Sequence, residues 1–140
     1  MKIRTFILTI TLTLTAYSAP KEAFWASLHT VESGGGLGAI KGDFSAGAFR
    51  AFRALGPLQI QYAYWSDSRV PGRYQDCADL AYSRRVVTAY LQRYAPKAWA
   101  AGDCNVLFRT HNGGPAAIRA TGTKKKNLDR YAKKALGLMQ

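Results

Sequence analysis

Carboxylates are scarce in this chain, so each can be weighed individually. Lys and Arg number 20 against 8 Asp and Glu; the glutamates are Glu22 and Glu32, and the aspartates are Asp43, Asp67, Asp76, Asp79, Asp103 and Asp129. Several have a structural use written in their surroundings. Asp79 and Asp103 stand where helices should begin and can cap them. Asp76 adjoins Cys77, Asp129 has Lys and Arg for neighbours, and Glu22 falls in a first helical turn where its charge suits the dipole. Glu32 is the exception. It falls in a last helical turn, against the negative end of the dipole, and desolvation by Phe24 and Val31 would add to that effect, which predicts a raised pKa. A carboxyl that keeps its proton near neutral pH can protonate the leaving oxygen of a glycoside, while a second carboxylate attacks or steadies the cationic sugar. The competing reading is a solvated Glu near a helix end.

The elements that must position Glu32 read as helices joined by Gly-rich loops. From Lys21 to Ser33, Phe24, Leu28 and Val31 recur at helical spacing, Ala23 and Ala26 favour the helix, and Gly34-Gly35-Gly36 stops it. Gly34 to Gly56 is rich in Gly and Ala without a sustained period. This predicts a long loop or small hairpin after the first helix, carrying Asp43 and the basic aromatic stretch Phe49-Arg50-Ala51-Phe52-Arg53. Pro57 suits a first helical turn, so Leu58 to Trp65 reads as a short helix ending at Ser66-Asp67-Ser68, with Pro71-Gly72 as a turn. Asp79 caps a helix whose apolar face is Leu80, Val86, Val87, Tyr90, Leu91 and Tyr94, ended by Pro96. Asp103 caps another, with Val106, Leu107 and Thr110, stopped by Asn112-Gly113-Gly114-Pro115. Asn127 is placed as the cap of a further helix with Leu128, Tyr131, Ala135 and Leu136 along one side. No segment reads as a convincing strand and no repeat is evident; the fold class is mainly α.

At 140 residues the chain has room for one domain, and eight Tyr, six Phe and three Trp supply the apolar surface that a disordered tail lacks. Lys2 and Arg4, the apolar run Phe6 to Leu14 and the small residues of Ala16-Tyr17-Ser18 predict a secretory signal peptide over 1–18, leaving a mature domain over 19–140. The run is shorter than the roughly 20 residues a spanning helix needs, so no transmembrane anchor is expected. Losing Lys2 and Arg4 takes the net charge from +12 to +10. A secreted or periplasmic monomer this basic is drawn to anionic wall polymers by long-range attraction that salt weakens. Nucleic-acid binding would rest on charge alone, since no recognition motif is present, and Lys124 to Lys126 reads as a solvated turn. In an oxidising compartment Cys77 and Cys104 can form one bridge, worth about 3.5 kcal/mol on a loop-closure argument, or remain two free thiols. Together with His29 and His111 they show none of the paired spacings of a zinc site, and no metal or cofactor is expected.

Three segments occur in order: Val31-Glu32-Ser33-Gly34-Gly35; Ala54-Leu55-Gly56-Pro57-Leu58-Gln59-Ile60 followed by Tyr64-Trp65; and Arg109-Thr110-His111-Asn112-Gly113-Gly114-Pro115. Together they resemble the lysozyme-like superfamily. The Glu-Ser-Gly start, the Gly-x-x-Gln-Ile helix and the Asn-x-Gly-Pro turn are similar to three signatures of bacterial lytic transglycosylases. The Gly-Pro-Leu-Gln-Ile and His-Asn-Gly-Gly-Pro forms resemble more closely the invertebrate-type lysozymes and their bacterial relatives. The resemblance runs from about Ala23 to Pro115.

The resemblance implies that Glu32 is the catalytic acid and that Asp43, in the following loop, is the second carboxylate. It implies that Gln59 lines the cleft, where a primary amide can bind sugar hydroxyls or acetamido groups; the alternative is a Gln that caps local backbone. Tyr64 and Trp65 are candidates to stack on sugar rings, with one of the two expected in the core. His111 falls where it can orient Glu32 or touch substrate, or be a satisfied buried His. Asn112, Gly113 and Gly114 are implied to shape the cleft wall. Animal invertebrate-type lysozymes are rich in Cys, so this chain is more similar to the bacterial branch. No Ser lies between Phe49 and Gly56, and the isopeptidase activity of some animal members is not carried over. The expected function is a secreted muramidase acting on peptidoglycan glycan strands. The alternatives are a lytic transglycosylase giving anhydro products and a non-catalytic cationic binder of cell wall or chitin.

Overall fold

The computed structural model of the chain describes residues 20–38 and 54–140. The expected leader over 1–18, Asp43 and the Phe49 to Arg53 stretch lie outside the described residues, as does most of the Gly-rich loop. The fold is mainly α: α1 (Glu22–Ser33), α2 (Tyr62–Ser68), α3 (Leu80–Tyr94), α4 (Pro96–Ala101), α5 (Cys104–Gly113) and α6 (Gly122–Gly137), with short 3-10 helices at Tyr74–Ala78 and Ala117–Arg119. No helix among the described residues is long and apolar enough to cross a membrane.

Local chemistry explains the boundaries of three helices. Asp79 accepts from the Tyr82 N–H at 2.7 Å and Asp103 from that of Val106 at 3.2 Å, so both cap as expected. Gly34 ends α1 in the left-handed conformation, φ +67°, with its N–H on Thr30 O and the Gly35 N–H on His29 O. The apolar face of α3 (Val86, Val87, Leu91) and Phe24, Leu28, Leu107 and Phe108 from α1 and α5 are fully buried. Each such side chain stabilises the fold by about 1.5–3 kcal/mol. The Phe24 and Phe108 rings stack at 4.8 Å, fixing α1 against α5.

Helix α6 packs most extensively on α5 and also reaches α1. Small residues permit the approach. Ser27 of α1 donates to Ala135 O at 2.5 Å, beside fully buried Ala132 and Ala135. A side chain at Gly113 would lie 2.6 Å from Leu128, so glycine there lets α5 and α6 close together.

The structure corrects four sequence expectations. Leu58 to Trp65 is not one helix: Leu55 and Ile60 exchange both backbone hydrogen bonds, at 2.8 and 2.9 Å, across a tight turn, and α2 starts only at Tyr62. Gly56 (φ +77°) and Gln59 (φ +48°) are both left-handed, which no helix tolerates. Pro96 does not merely stop α3; it is the first residue of α4, where its missing N–H costs nothing. Asn127 caps nothing. It lies inside α6, which begins upstream because Lys124, Lys125 and Lys126 are exposed helical residues and good helix formers. Finally, Cys77 and Cys104 are free thiols. Cys77 is sealed in the core, where burial pushes its thiol up to about 12, whereas Cys104 opens α5 with its Sγ 3.5 Å from Gly102 O.

The 55–60 turn rests on close contact: a Cβ at Gly56 would lie 1.8 Å from Cys77 O, while one at Gly34 would meet nothing. Both glycines are left-handed, so the pair separates strain from collision. Gly56→Ala is expected to cost more than about 2 kcal/mol and Gly34→Ala about 1 kcal/mol, read from urea unfolding midpoints.

Candidate active site

The Gly-ended α1 delivers Glu32 to a cleft of about 290 Å³ lined by Glu32, Ala54, Gln59, Gln61, Tyr64, His111 and Asn112. The Glu32 side chain is only 14% exposed and that of His111 only 4%, so a charge on either has lost most of its water. Partners replace that water. The Tyr131 hydroxyl of α6 donates to Glu32 Oε1, and His111 Nε2 of α5 lies 3.5 Å from the same oxygen. Behind the imidazole, Nδ1 is 3.0 Å from the Tyr64 hydroxyl of α2, and the Tyr64 ring stacks on Tyr90 of α3 with centroids 3.5 Å apart. Ser33, next to Glu32, donates to Pro57 O at 2.8 Å and so ties the end of α1 to the 55–60 turn.

These partners reverse the electrostatics expected from sequence. Burial does raise the Glu32 pKa, as the dipole and core argument requires. The hydrogen bond and charge of His111, the Tyr131 hydrogen bond and the positive charge of Lys134 together outweigh burial and hold the carboxyl below its ordinary value. The hydroxyls respond oppositely. Burial, then the nearby Glu32 charge, pushes Tyr131 far up, and burial with Tyr90 and Glu32 pushes Tyr64 up, so both remain protonated.

Of the other expected site residues, Gln59 lines the cleft and also caps backbone, its amide donating to Gly56 O at 2.7 Å. Both readings of that residue hold together. Tyr64 faces the cleft but its hydroxyl is engaged by His111, and Trp65 packs on the core and donates to the Tyr82 hydroxyl at 2.8 Å. Asn112 is exposed on the cleft wall. Gly113 is not on that wall; it serves the approach of α5 to α6. Asp43 lies outside the described residues. Sequence reasoning missed Gln61, Tyr131 and Lys134. Tyr131 was legible only as one member of the apolar side of α6, since nothing local announces a hydroxyl partner in α1.

Comparison with known proteins adds an independent line. The chain is 42% identical over 73 residues to "Lysozyme 1" of Crassostrea virginica, covering 51% of this chain and 40% of that protein. It is 34% identical over 74 residues to "Invertebrate-type lysozyme" of Ruditapes philippinarum, 51% and 54% of the two chains. A third match, "Invertebrate-type lysozyme 2" of Caenorhabditis elegans, is 34% identical over 82 residues, 50% and 59%. Over about half of its length the chain is thus related to lysozymes. The similarity to these relatives spans about half of their length. No family model matches the chain, and no solved structure does.

The lowered Glu32 pKa makes a stability prediction with a definite sign. A carboxyl whose folded value lies below its unfolded one contributes stability that is complete above the unfolded pKa and is lost as pH falls through the folded value. Stability of the native chain to urea should therefore fall on acidification below about pH 4.3, the unfolded range for Glu. The decline should be shallower in Glu32→Gln, and equal slopes in the two proteins would contradict the assignment.

Proposed function

We propose that the protein is a muramidase that cleaves the β-1,4 bond between N-acetylmuramic acid and N-acetylglucosamine in peptidoglycan, with Glu32 as the general acid. The observation that carries this reading is the part-buried Glu32 carboxyl, held from α5 and α6 at the wall of an open cleft. The similarity to lysozymes supports the substrate class. Gln59 supports it as well, since one N–H of its amide is used on Gly56 O while the amide oxygen can accept from a sugar hydroxyl. Asp43 is proposed as the second carboxylate, attacking or steadying the cationic sugar. Export to the periplasm or beyond, with attraction of the mature domain's net charge of +10 (+12 less Lys2 and Arg4) to anionic wall polymers, completes the proposal.

A lowered pKa shapes how Glu32 would act. The acid must carry a proton at the moment of cleavage, so the rate falls as pH rises through the Glu32 value, and activity is weighted to the acid side. The same lowered value favours a second reading, in which Glu32, having donated its proton, returns as a base toward a substrate hydroxyl and gives an anhydro product. A catalytically silent binder is the third.

The test is mass spectrometry of fragments released from purified peptidoglycan, with Glu32→Gln alongside. Reducing-end fragments are expected from the native chain, with release about 10²- to 10⁴-fold slower in the variant. Anhydro ends would establish the second reading, and equal release from both proteins would remove Glu32 from the chemistry.

A further inference from the structure

The two oxygens of Glu32 are not equivalent. Oε1 receives the Tyr131 hydroxyl and faces His111 Nε2 at 3.5 Å, and no other hydrogen bond from the described residues reaches the carboxyl. Three features keep those two groups as donors. Tyr131 holds its proton because burial and the adjacent carboxylate oppose its ionisation. His111 presents a hydrogen on Nε2 toward Glu32 in either form, as the imidazolium or as the neutral ring whose Nδ1 accepts from Tyr64, which also holds its proton, at 3.0 Å. The helices are pinned as well: α6 to α1 through Ser27 and Ala135, and α5 to α6 through Gly113 against Leu128.

We propose that Tyr131 and His111 are positioning residues that sort the oxygens of Glu32, holding Oε1 between a hydroxyl donor and the imidazole and leaving Oε2 to carry the proton toward the substrate. An oxygen that already accepts a hydroxyl and faces an imidazole nitrogen at 3.5 Å is the poorer site for a further proton, so protonation falls on Oε2. Proton delivery then comes from one fixed atom rather than from a rotating carboxyl. The charged and titratable groups facing Glu32 are His111 from α5, Tyr131 and Lys134 from α6, and Tyr64 from α2 behind the imidazole. This inference rests on the reading of Glu32 as the acid, but the clamp itself can be measured without any activity.

The chain has only two glutamates, Glu22 and Glu32, so carboxyl-¹³C glutamate labelling of the full chain gives two side-chain signals, and Glu32→Gln assigns them. In Tyr131→Phe and in His111→Gln the Glu32 signal should titrate at higher pH than in the native chain. The alkaline limb of kcat/KM on peptidoglycan should move up with it. At its own optimum, kcat should fall about ten- to hundredfold while KM changes less than about twofold, as for lost alignment rather than lost binding. Tyr131→Phe removes one oxygen and keeps the ring, and His111→Gln provides a second, independent perturbation. Unchanged titration in both variants would overturn the clamp. A moved titration with an unmoved pH limb in an active enzyme would overturn the role in proton delivery. A moved titration in a chain whose native form releases nothing from peptidoglycan would overturn the muramidase reading and leave the clamp standing.

Discussion

A carboxylate taken out of water must be given donors in exchange, and at Glu32 those donors come from helices that lie far from α1 in sequence. Tyr131 is 99 residues away and is brought in by α6. His111 comes from α5 and is itself braced by Tyr64 from α2 and, behind that, Tyr90 from α3. The cleft therefore reports on the assembly of the whole helical domain. A shift of α6 against α1 would leave a buried charge short of a partner, a far larger penalty than an exposed ion pair could offset.

Three other described carboxylates illustrate the contrast. Glu22 meets Arg84, Asp76 meets Arg73, and Asp129 meets both Lys125 and Arg109. Among these, Glu22 and the Lys125 and Asp129 pair are well exposed, where water and salt screen the attraction. Their use is to spend scarce negative charge locally on a strongly basic surface. Glu32 alone among the described Glu residues is enclosed, and it alone is supported by uncharged hydroxyl donors.

Features written into neighbouring residues were legible in the sequence. The caps Asp79 and Asp103, the glycine that ends α1 and the apolar face of α3 were all readable, because each depends on contacts within one or two turns. What was misread depended on distant partners. The 55–60 turn needs two left-handed residues, and Gln59 gives no sign of that conformation until Gly56 is set against the Cys77 carbonyl. Helix α4 hides behind a proline that reads equally well as a stop. The placement of Glu32 in a final helical turn was legible and so was its burial. The direction of its pKa was not, because the groups that reverse it arrive from α5 and α6 and carry no local mark.

The dependence of Glu32 on α6 also sets an order in time. During synthesis from the N-terminus, at about 5–20 residues per second, roughly 5–20 s separate the appearance of Glu32 from that of Tyr131. Throughout that interval the nascent chain lacks the helix that shields the Glu32 carboxyl, so the cleft is left unassembled until α6 emerges and docks. The architecture thus acts as a timer, in which the chemistry of a residue near the beginning waits on a segment made long after it.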